Sequence, residues 1–306
     1  LTLSSDNYRH IEPRLSLRYK LNTTSSIKAA YTENYQYVHL ASTSSVSLPT
    51  DLWVPSSSGI KPKFARQYAL GYFKNLNDNM YETSLEAYYK EMTNLIEYRE
   101  GYLPEDNTNS SGDDSFTFGD GESYGIEVLL KKIKGKTTGW IGYTLSKTTR
   151  YFDEVNNGIP FPAKYDRRHD LSITATHKLS KSWVLSGVFV YASGNSITLP
   201  TERYVIGGDI YTQFTSRNGF RVDPYHRMDI GATYTPSKKN KKFKSSWNFS
   251  IYNVYSRKNP YFIYFALEGL DDNGENQNIQ NGNVEPKAYQ VSIFPILPSI
   301  TWNFNF

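Results

Sequence analysis

Short segments in which apolar and polar residues alternate follow one another along nearly the whole chain. Between Tyr81 and Lys90, for example, the side chains at odd positions suit an apolar surface, whereas Glu82, Glu86 and Lys90 occupy even positions. Because successive side chains of a strand point to opposite faces, this pattern predicts strands with one apolar and one polar face. We predict eleven strands, at residues 11–21, 26–39, 64–75, 80–99, 122–134, 138–151, 168–179, 183–198, 226–236, 245–266 and 286–306.

The connections between these strands alternate in length. Short polar turns are predicted at residues 22–25, 76–79, 135–137, 180–182 and 237–244. Long loops are predicted at residues 41–63, 101–121, 152–167, 199–225 and 268–285. Outer-membrane barrels have short turns on one side and long loops on the other, whereas a secreted β-sandwich lectin has no reason to sort its connections. The sequence therefore predicts an all-β fold, a transmembrane antiparallel up-and-down β-barrel.

The chain ends on Ile300–Phe306, in which four apolar side chains share one face of an extended strand. Aromatic residues collect at the membrane interfaces of transmembrane barrels. We interpret Trp302, Phe304 and Phe306 as a membrane-insertion signal.

Eleven strands is an odd number, whereas bacterial single-chain barrels have an even number. Eleven is half of the 22 strands found in large outer-membrane transporters with a plugged lumen. An open sheet would leave two unpaired edges, which cannot stand in hydrocarbon. We therefore interpret residues 1–306 as the carboxy-terminal half of a larger barrel, closed by strands outside this sequence.

Composition excludes several other classes of protein. The chain has no cysteine, so disulfides, zinc–thiolate sites and cysteine nucleophiles are excluded. Its mean hydropathy is −0.58, and no apolar run approaches the roughly 18 residues of a spanning helix. A net charge of +4 is mild and by itself implies no nucleic-acid partner.

Several phrases resemble the TonB-dependent outer-membrane receptors, particularly the conventional type of Bacteroidota. Their order and spacing cover nearly the whole chain. The phrases are Ile11–Arg18 (IEPRLSLR), Lys61–Gly71 (KPKFARQYALG), Tyr124–Val128 (YGIEV), Arg168–Leu171 (RHDL), Tyr252–Pro260 (YNVYSRKNP) and Phe294–Ile300 (FPILPSI).

The resemblance implies a 22-stranded barrel with an amino-terminal plug, which imports a scarce ligand such as a ferric siderophore or another nutrient with energy relayed by the TonB complex. We expect the plug and the amino-terminal strands to lie outside this sequence. The implied location is the bacterial outer membrane. The expected partners are outer-membrane lipid, the missing half of the barrel, the TonB complex through the plug and, in the glycan-importing class, a surface lipoprotein.

Two other functions stay open at this point. A receptor-like barrel can act as a structural subunit of a larger outer-membrane assembly. An outer-membrane lipase or protease would need a nucleophile or an acid–base set converging near one rim, and none is found in the sequence. We expect no enzymatic activity and no cofactor.

Two Arg-x-Asp motifs begin predicted strands directly after long loops. Side chains two apart on a strand share a face, so Arg168 with Asp170, and Arg227 with Asp229, are predicted to lie on the lumen face and to pair with neighbours or with the plug. A catalytic alternative would make His169 a base oriented by Asp170. Adjacent strand residues point to opposite faces, however, and the second motif has no histidine.

Loop residues give the candidate ligand contacts. Trp53, Tyr204, Tyr211 and Phe214 lie in predicted loops, where aromatic side chains offer contact surface, or could pack the loops together. Four of the five histidines are placed near the long-loop ends, but none shows the close spacing of metal ligands, so no metal site is predicted. The acidic stretches 113–120 and 271–275 lack the ordered spacing of a calcium loop. The lysines of 238–244 are interpreted as a solvated turn.

Overall fold

The computed structural model describes residues 8–41, 52–100, 115–206, 209–236, 244–267 and 286–305, and the side chains of residues 52, 200–214, 244, 265–267, 286 and 305 lie outside this description. Within the described ranges, no helix is long and apolar enough to cross a membrane. One 3-10 turn spans Asn156–Gly158. The strands of these ranges are β1 (Arg14–Lys20), β2 (Ser25–Gln36), β3 (Val38–Ala41), β4 (Leu52–Pro55), β5 (Lys63–Leu76), β6 (Tyr81–Tyr98), β7 (Phe116–Lys132), β8 (Thr137–Tyr151), β9 (Phe161–Pro162), β10 (His169–Lys178), β11 (Trp183–Ala192), β12 (Ser196–Ile197), β13 (Pro200–Ile206), β14 (Asp209–Phe214), β15 (Phe220–Arg221), β16 (Tyr225–Tyr234), β17 (Lys244–Tyr252), β18 (Phe262–Leu267), β19 (Pro286–Val291) and β20 (Leu297–Asn305).

Eleven of these strands form one antiparallel meander, in the order β1-β2-β5-β6-β7-β8-β10-β11-β16-β17-β20. The short strand β9 pairs with β8 beside this path. The other strands form two-stranded pairs within the long connections. The predicted number of spanning strands and the alternation of short and long connections are both confirmed. The sheet thus has a short-turn end and a long-loop end.

Asparagine and aspartate build the short turns. Between β5 and β6, Asn77, Asp78 and Asn79 have φ of 51°, 51° and 58°. These residue types tolerate the left-handed region because their short side chains hydrogen-bond locally. Between β1 and β2, Asn22 Oδ1 accepts hydrogen bonds from the amides of Thr24 and Ser25, both at 2.9 Å. Local chemistry therefore fixes the register of both hairpins.

Two predicted strands are each interrupted by a residue in the left-handed region, and the strand predicted at 183–198 already ends at Ala192. The strand predicted at 245–266 divides into β17 and β18 at Asn253, whose φ is 53°. The strand predicted at 286–306 divides into β19 and β20 near Phe294, whose φ is 58°. The chain leaves the sheet at the first interruption and rejoins it at the second, both at the long-loop end, and among the described residues β18 and β19 pair only with each other.

Strand β7 begins at Phe116, six residues before its predicted start. Residues 118–121 (FGDG) were predicted to lie in the long loop 101–121, yet they form part of the strand. A Cβ added at Gly119 would lie 2.2 Å from the carbonyl oxygen of Tyr151 on β8. Glycine is present there because the neighbouring strand approaches closely, not because the chain turns.

The two faces of the meander differ in chemistry along its whole width. The strand register aligns one apolar row, with Leu17 beside Ala29, Leu70, Ala87 and Ile126 on successive strands. Large side chains of this face are exposed, and Leu17 reaches 70%. Serine, threonine and charged residues alternate with them on the opposite face. We call these the apolar face and the polar face.

Aromatic rings and hydrogen-bonded carboxylates border the apolar face. At the short-turn end, Trp183, Tyr234, Trp247 and Trp302 occupy directly paired positions on four successive strands. The centroids of Trp247 and Trp302 lie 5.7 Å apart, and those of Trp302 and Phe304 4.7 Å apart. Phe306, the last residue of the predicted insertion signal, lies outside the described residues.

At the long-loop end, the carboxylate of Glu122 accepts hydrogen bonds from the hydroxyls of Tyr89 at 3.3 Å and Tyr151 at 2.7 Å. Glu33 accepts from Tyr31 and from Arg66 Nε, the latter at 3.2 Å. The apolar face therefore ends at a defined polar level.

Candidate functional site at the long-loop end

The long connections fold onto the end of the sheet around two small hydrophobic clusters. The first cluster joins the β3–β4 hairpin to β6 and β7 and contains Ala41, Ile60, Ile96, Tyr98 and Phe116. The second cluster joins β6 to the β8–β10 connection and contains Leu95, Phe152, Val155 and Phe161. Burial of these side chains stabilises the loops against the sheet. The described parts of the loops are thus packed structures.

Three polar links tie the β11–β16 connection to its neighbours. The buried Arg217 donates from Nη2 to the carbonyl oxygen of Tyr98 at 3.1 Å. The buried Asn218 donates from Nδ2 to the carbonyl oxygen of Pro162 at 3.0 Å. Arg221 donates from Nη2 to Asp166 Oδ2 at 2.6 Å. Residues 217–221 therefore bridge two other connections.

Asp166 is the centre of the strongest of these links. Its carboxylate is 1% exposed and also accepts the amide of Thr148 at 2.7 Å. The guanidinium of Arg168 lies 3.9 Å from the same carboxylate, and its Nε is buried with no hydrogen-bond partner among the described residues. A buried carboxylate needs such charged and hydrogen-bonding partners, because desolvation of an isolated charge is costly.

Below these connections, the polar face forms a cavity whose open volume is about 350 Å³. This volume is in the range of small-molecule sites. The cavity is lined by Asn34, Tyr35, Gln36, Lys63, Ala65, Lys90, Met92, Leu95, Thr148, Arg150 and Ala163. Three of these side chains carry a positive charge and none carries a negative one.

A bulge in β6 places one acidic residue beside this cavity. The register between β6 and β7 shifts between Met92 and Leu95, where Asn94 has φ of 57°. Because the bulge adds one residue, Leu95 and Glu97 share the polar face with Met92. Glu97, 7% exposed, forms an ion pair with Arg150 on this face.

Among the described residues, Lys63 and Lys90 differ from Arg150 in having no hydrogen bond or ion pair. Lys63 is close enough to Glu97, Arg150 and Lys90 for electrostatic interaction. In the part of the chain that the structure describes, however, neither lysine ammonium has an ion pair or a hydrogen bond. The three cations that line the cavity and the neighbouring Glu97 together carry a net charge of +2.

A second polar network surrounds Arg227 and Asp229 at the start of β16. Arg227 Nε and Nη2 both lie 3.0 Å from Asp229 Oδ2. Asp229 Oδ1 accepts the amide of Asn253 at 2.9 Å, and Arg227 also donates to the hydroxyl of Tyr252 at 2.6 Å. The Arg227–Asp229 pair therefore connects β16 to the interruption that follows β17.

The other predicted charge pair is arranged differently. Arg168 precedes β10, so the rule that side chains two apart share a strand face does not apply to it. It lies near Asp166, whereas Asp170 lies 3.9 Å from Arg167 Nη1. His169 Nδ1 hydrogen-bonds with the hydroxyl of Tyr143 at 2.7 Å, on the apolar face.

The aromatic loop candidates lie on two different hairpins. Trp53 is in β4 and is exposed. Tyr204 of β13 is directly paired with Tyr211 of β14, and Phe214 ends β14, so three of the candidates share one hairpin. The side chains of these three lie outside the described residues. The same holds for the acidic stretch 271–275 and the lysines of 238–244, whereas only 115–120 of the other acidic stretch is described.

Each histidine has a hydroxyl partner. No group of three or more potential metal ligands occurs among the described residues. Burial, and then the positive charge of Lys63, lowers the pKa of His39, which is 0% exposed. The pairs are His10 with Tyr37 at 3.1 Å, His39 with Ser56 at 3.1 Å, His169 with Tyr143 at 2.7 Å, His177 with Thr137 at 2.8 Å and His226 with Tyr255 at 2.9 Å.

Sequence reasoning missed the basic cavity and the Asp166 centre. Lys90 was assigned to the polar face of its strand, but nothing local indicated that Lys63 and Arg150 would lie near it. The positions of these residues could have indicated the cavity. Lys63 follows a long loop, Arg150 precedes one, and both fall on polar-face positions of their strands.

An eleven-stranded antiparallel meander with a continuous apolar face, a polar face and sorted connections is the wall of an outer-membrane β-barrel. Comparison with known protein families supports this class. The family model described as TonB dependent receptor-like, beta-barrel matches residues 2–254. The chain therefore belongs to the TonB-dependent receptor-like β-barrel family, and it is a protein of the bacterial outer membrane.

Solved structures show the same fold at low sequence identity. The ferric preacinetobactin receptor BauA of Acinetobacter baumannii is 17% identical, with a TM-score of 0.55 over 96% of this chain and 36% of that one. The ferric-catecholate import receptor Fiu of E. coli K12 is 13% identical, with a TM-score of 0.52 over 95% and 34%. The ferripyoverdine receptor of Pseudomonas aeruginosa is 18% identical, with a TM-score of 0.52 over 83% and 29%.

The chain spans about a third of the length of these structures. No curated protein matches it. On this fold the apolar face meets lipid, the polar face lines the lumen, the short turns face the periplasm and the long connections face the exterior.

Proposed function

We propose that residues 1–306 are the carboxy-terminal part of the barrel of an outer-membrane receptor, which captures a scarce extracellular ligand and imports it with energy relayed by TonB. The observation that carries the proposal is the charged cavity on the lumen face, directly below packed extracellular connections. A barrel that served only as a wall would not need such a cavity at the mouth of its lumen.

The missing parts of the receptor belong to the same proposal. The two edge strands β1 and β20 each pair on one side only within the described sheet. Further strands outside this sequence would satisfy these edges, since an open edge is not stable in hydrocarbon. A plug domain, also outside this sequence, would fill the lumen and contact the TonB complex. Membrane lipid surrounds the apolar face, and a surface lipoprotein is a further proposed partner.

The proposed class of ligand is a ferric chelate. This assignment is supported by the structural neighbours, which are described as receptors for ferric preacinetobactin, ferric catecholates and ferripyoverdine. In this role the protein binds and transports, and it carries out no bond-making chemistry.

Uptake of radioactive iron tests the proposal. Cells that express the complete receptor should accumulate iron from at least one member of a panel of ferric siderophores, whereas cells lacking it should not. Removing TonB should abolish accumulation and leave surface binding intact. Accumulation that is unchanged without TonB would contradict energised import, and the absence of binding to any ferric chelate would contradict the ligand class.

A further inference from the structure

We propose that the cavity around Lys63, Lys90 and Arg150 binds the carboxylate groups of an anionic ligand. This inference rests on the proposed function, because it assigns a ligand chemistry to the same mouth of the barrel. Ammonium and guanidinium groups bind carboxylates by charge-assisted hydrogen bonds.

The first argument is the unequal use of the three cations. Arg150 is paired with the nearly buried Glu97, so its charge is compensated. Lys63 and Lys90 have no such partner among the described residues, although they line the same cavity. Two uncompensated ammonium groups at one cavity repel each other, and an anion between them would remove that repulsion.

The second argument is how the cations are held. Lys63 begins β5, Lys90 lies on β6 and Arg150 lies near the end of β8, so each is fixed by the same hydrogen-bonded sheet. The Glu97–Arg150 pair further restrains the guanidinium. Sites built on strands are held more precisely than sites built on loops, which favours recognition of a ligand group over nonspecific attraction.

The third argument is the composition of the remaining lining. Asn34 offers an amide donor, whereas the Gln36 amide already donates to the carbonyl oxygen of Val38 at 2.7 Å and the Thr148 hydroxyl is hydrogen-bonded to Ser123 Oγ at 2.8 Å. Met92 and Leu95 provide apolar contact on one side. Such a site suits a ligand with carboxylate groups on a short carbon skeleton, since it combines a few polar anchors with apolar walls.

Chemical labelling of the complete receptor tests the inference without knowledge of the natural ligand. Pyridoxal 5′-phosphate, an anionic aldehyde, condenses with a lysine amine to form an imine and release water. Borohydride then reduces the imine to a stable secondary amine, and peptide mass spectrometry measures the modification of each lysine. Succinate is the competitor, and its neutral diamide succinamide is the size-matched control, both at constant ionic strength.

We expect the labelling of Lys63 and Lys90 in the presence of succinate to be at least about three-fold lower than in the presence of succinamide. Bound succinate would protect the two amines in proportion to the occupancy of the site. Lys20 and Lys28, which lie on the same face towards the short turns, should be labelled equally in both cases. Equal protection by succinate and succinamide would overturn the inference. So would unreactive Lys63 and Lys90 in the complete receptor, because another part of the receptor would then fill the cavity.

Uptake separates this inference from the proposed function. For an imported ligand that carries carboxylates, Lys63→Met with Lys90→Met should raise the half-saturating concentration about ten-fold, whereas Lys20→Met with Lys28→Met should not. Equal behaviour of the two double variants would overturn the carboxylate site and leave import standing. If no compound is imported, the labelling result still decides whether the cavity binds carboxylates.

Discussion

Arg221 and Asp166 form an ion pair of 2.6 Å between two different extracellular connections, with the carboxylate almost completely buried. Arg221 also donates to the carbonyl oxygen of Gly194 at 2.8 Å. The pair thereby joins the β8–β10 connection to the β11–β16 connection above the lumen face.

Asp166→Asn is expected to loosen these connections, because it removes the charge that compensates Arg221. The loss of docking free energy should be about 2–4 kcal/mol, as for breaking a largely buried pair. Limited proteolysis of residues 193–224 in the purified receptor measures it. The control is Asp153→Asn in the same connection, since Asp153 is exposed and has no ion pair among the described residues. Equal cleavage of the two variants would contradict the role of Asp166.

Asp229 and Asp170 provide a second comparison. Asp229→Asn should lower the free energy of unfolding by about 1–3 kcal/mol, because Asp229 joins Arg227 to the amide of Asn253. Asp170→Asn should change it by no more than about 0.5 kcal/mol, since its contact with Arg167 is long and nearly half exposed. Denaturant unfolding in detergent distinguishes them, and a larger effect at Asp170 would refute the assignment.

The lipid-facing surface can be tested at adjacent residues of β7. Ile126→Lys places a charge among Ala87 and Leu145 on the apolar face and should cost about 2–4 kcal/mol. Glu127→Lys changes the lumen face, where Glu127 lies opposite Glu86, and should stay within about 0.5 kcal/mol. The folded fraction in outer membranes, read from heat-modifiable mobility in electrophoresis, reports both. Equal assembly of the two variants would mean that the faces are assigned wrongly.

The burial of His39 predicts that the docking of the β3–β4 hairpin depends on pH. Burial lowers the pKa of His39 in the docked hairpin, so the undocked hairpin takes up a proton first as the pH falls. The stabilisation is therefore complete above the ordinary histidine pKa of about 6.5 and decreases as the pH falls below it. Hydrogen exchange of residues 52–60 should be faster at pH 5 than at pH 7.5, after correction for intrinsic exchange. His39→Gln should abolish this difference, and exchange independent of pH in the unaltered chain would exclude it.

The number, order and faces of the spanning strands could be predicted because they depend on a two-residue repeat and on turn chemistry. The ends of the strands could not, since Asn253 and Phe294 leave the sheet through backbone conformations that no local pattern indicates. The Arg227–Asp229 motif was visible as two residues on one strand. The cavity could not be predicted from the sequence. Lys63, Lys90 and Arg150 come from strands whose alignment depends on the bulge at Asn94 and on the register of four strands.

The two borders of the apolar face determine the height of the barrel in the membrane. Trp247 and Trp302 mark the periplasmic level, and Glu122, held between the hydroxyls of Tyr89 and Tyr151, marks the outer one. Tyr151 directly follows Arg150 in β8, so the cavity lies at the height of the outer lipid head groups. Along β5, Lys63 lies three residues further towards the long-loop end than Arg66, so an anion that enters from the exterior meets Lys63 before it reaches the outer border of the apolar face.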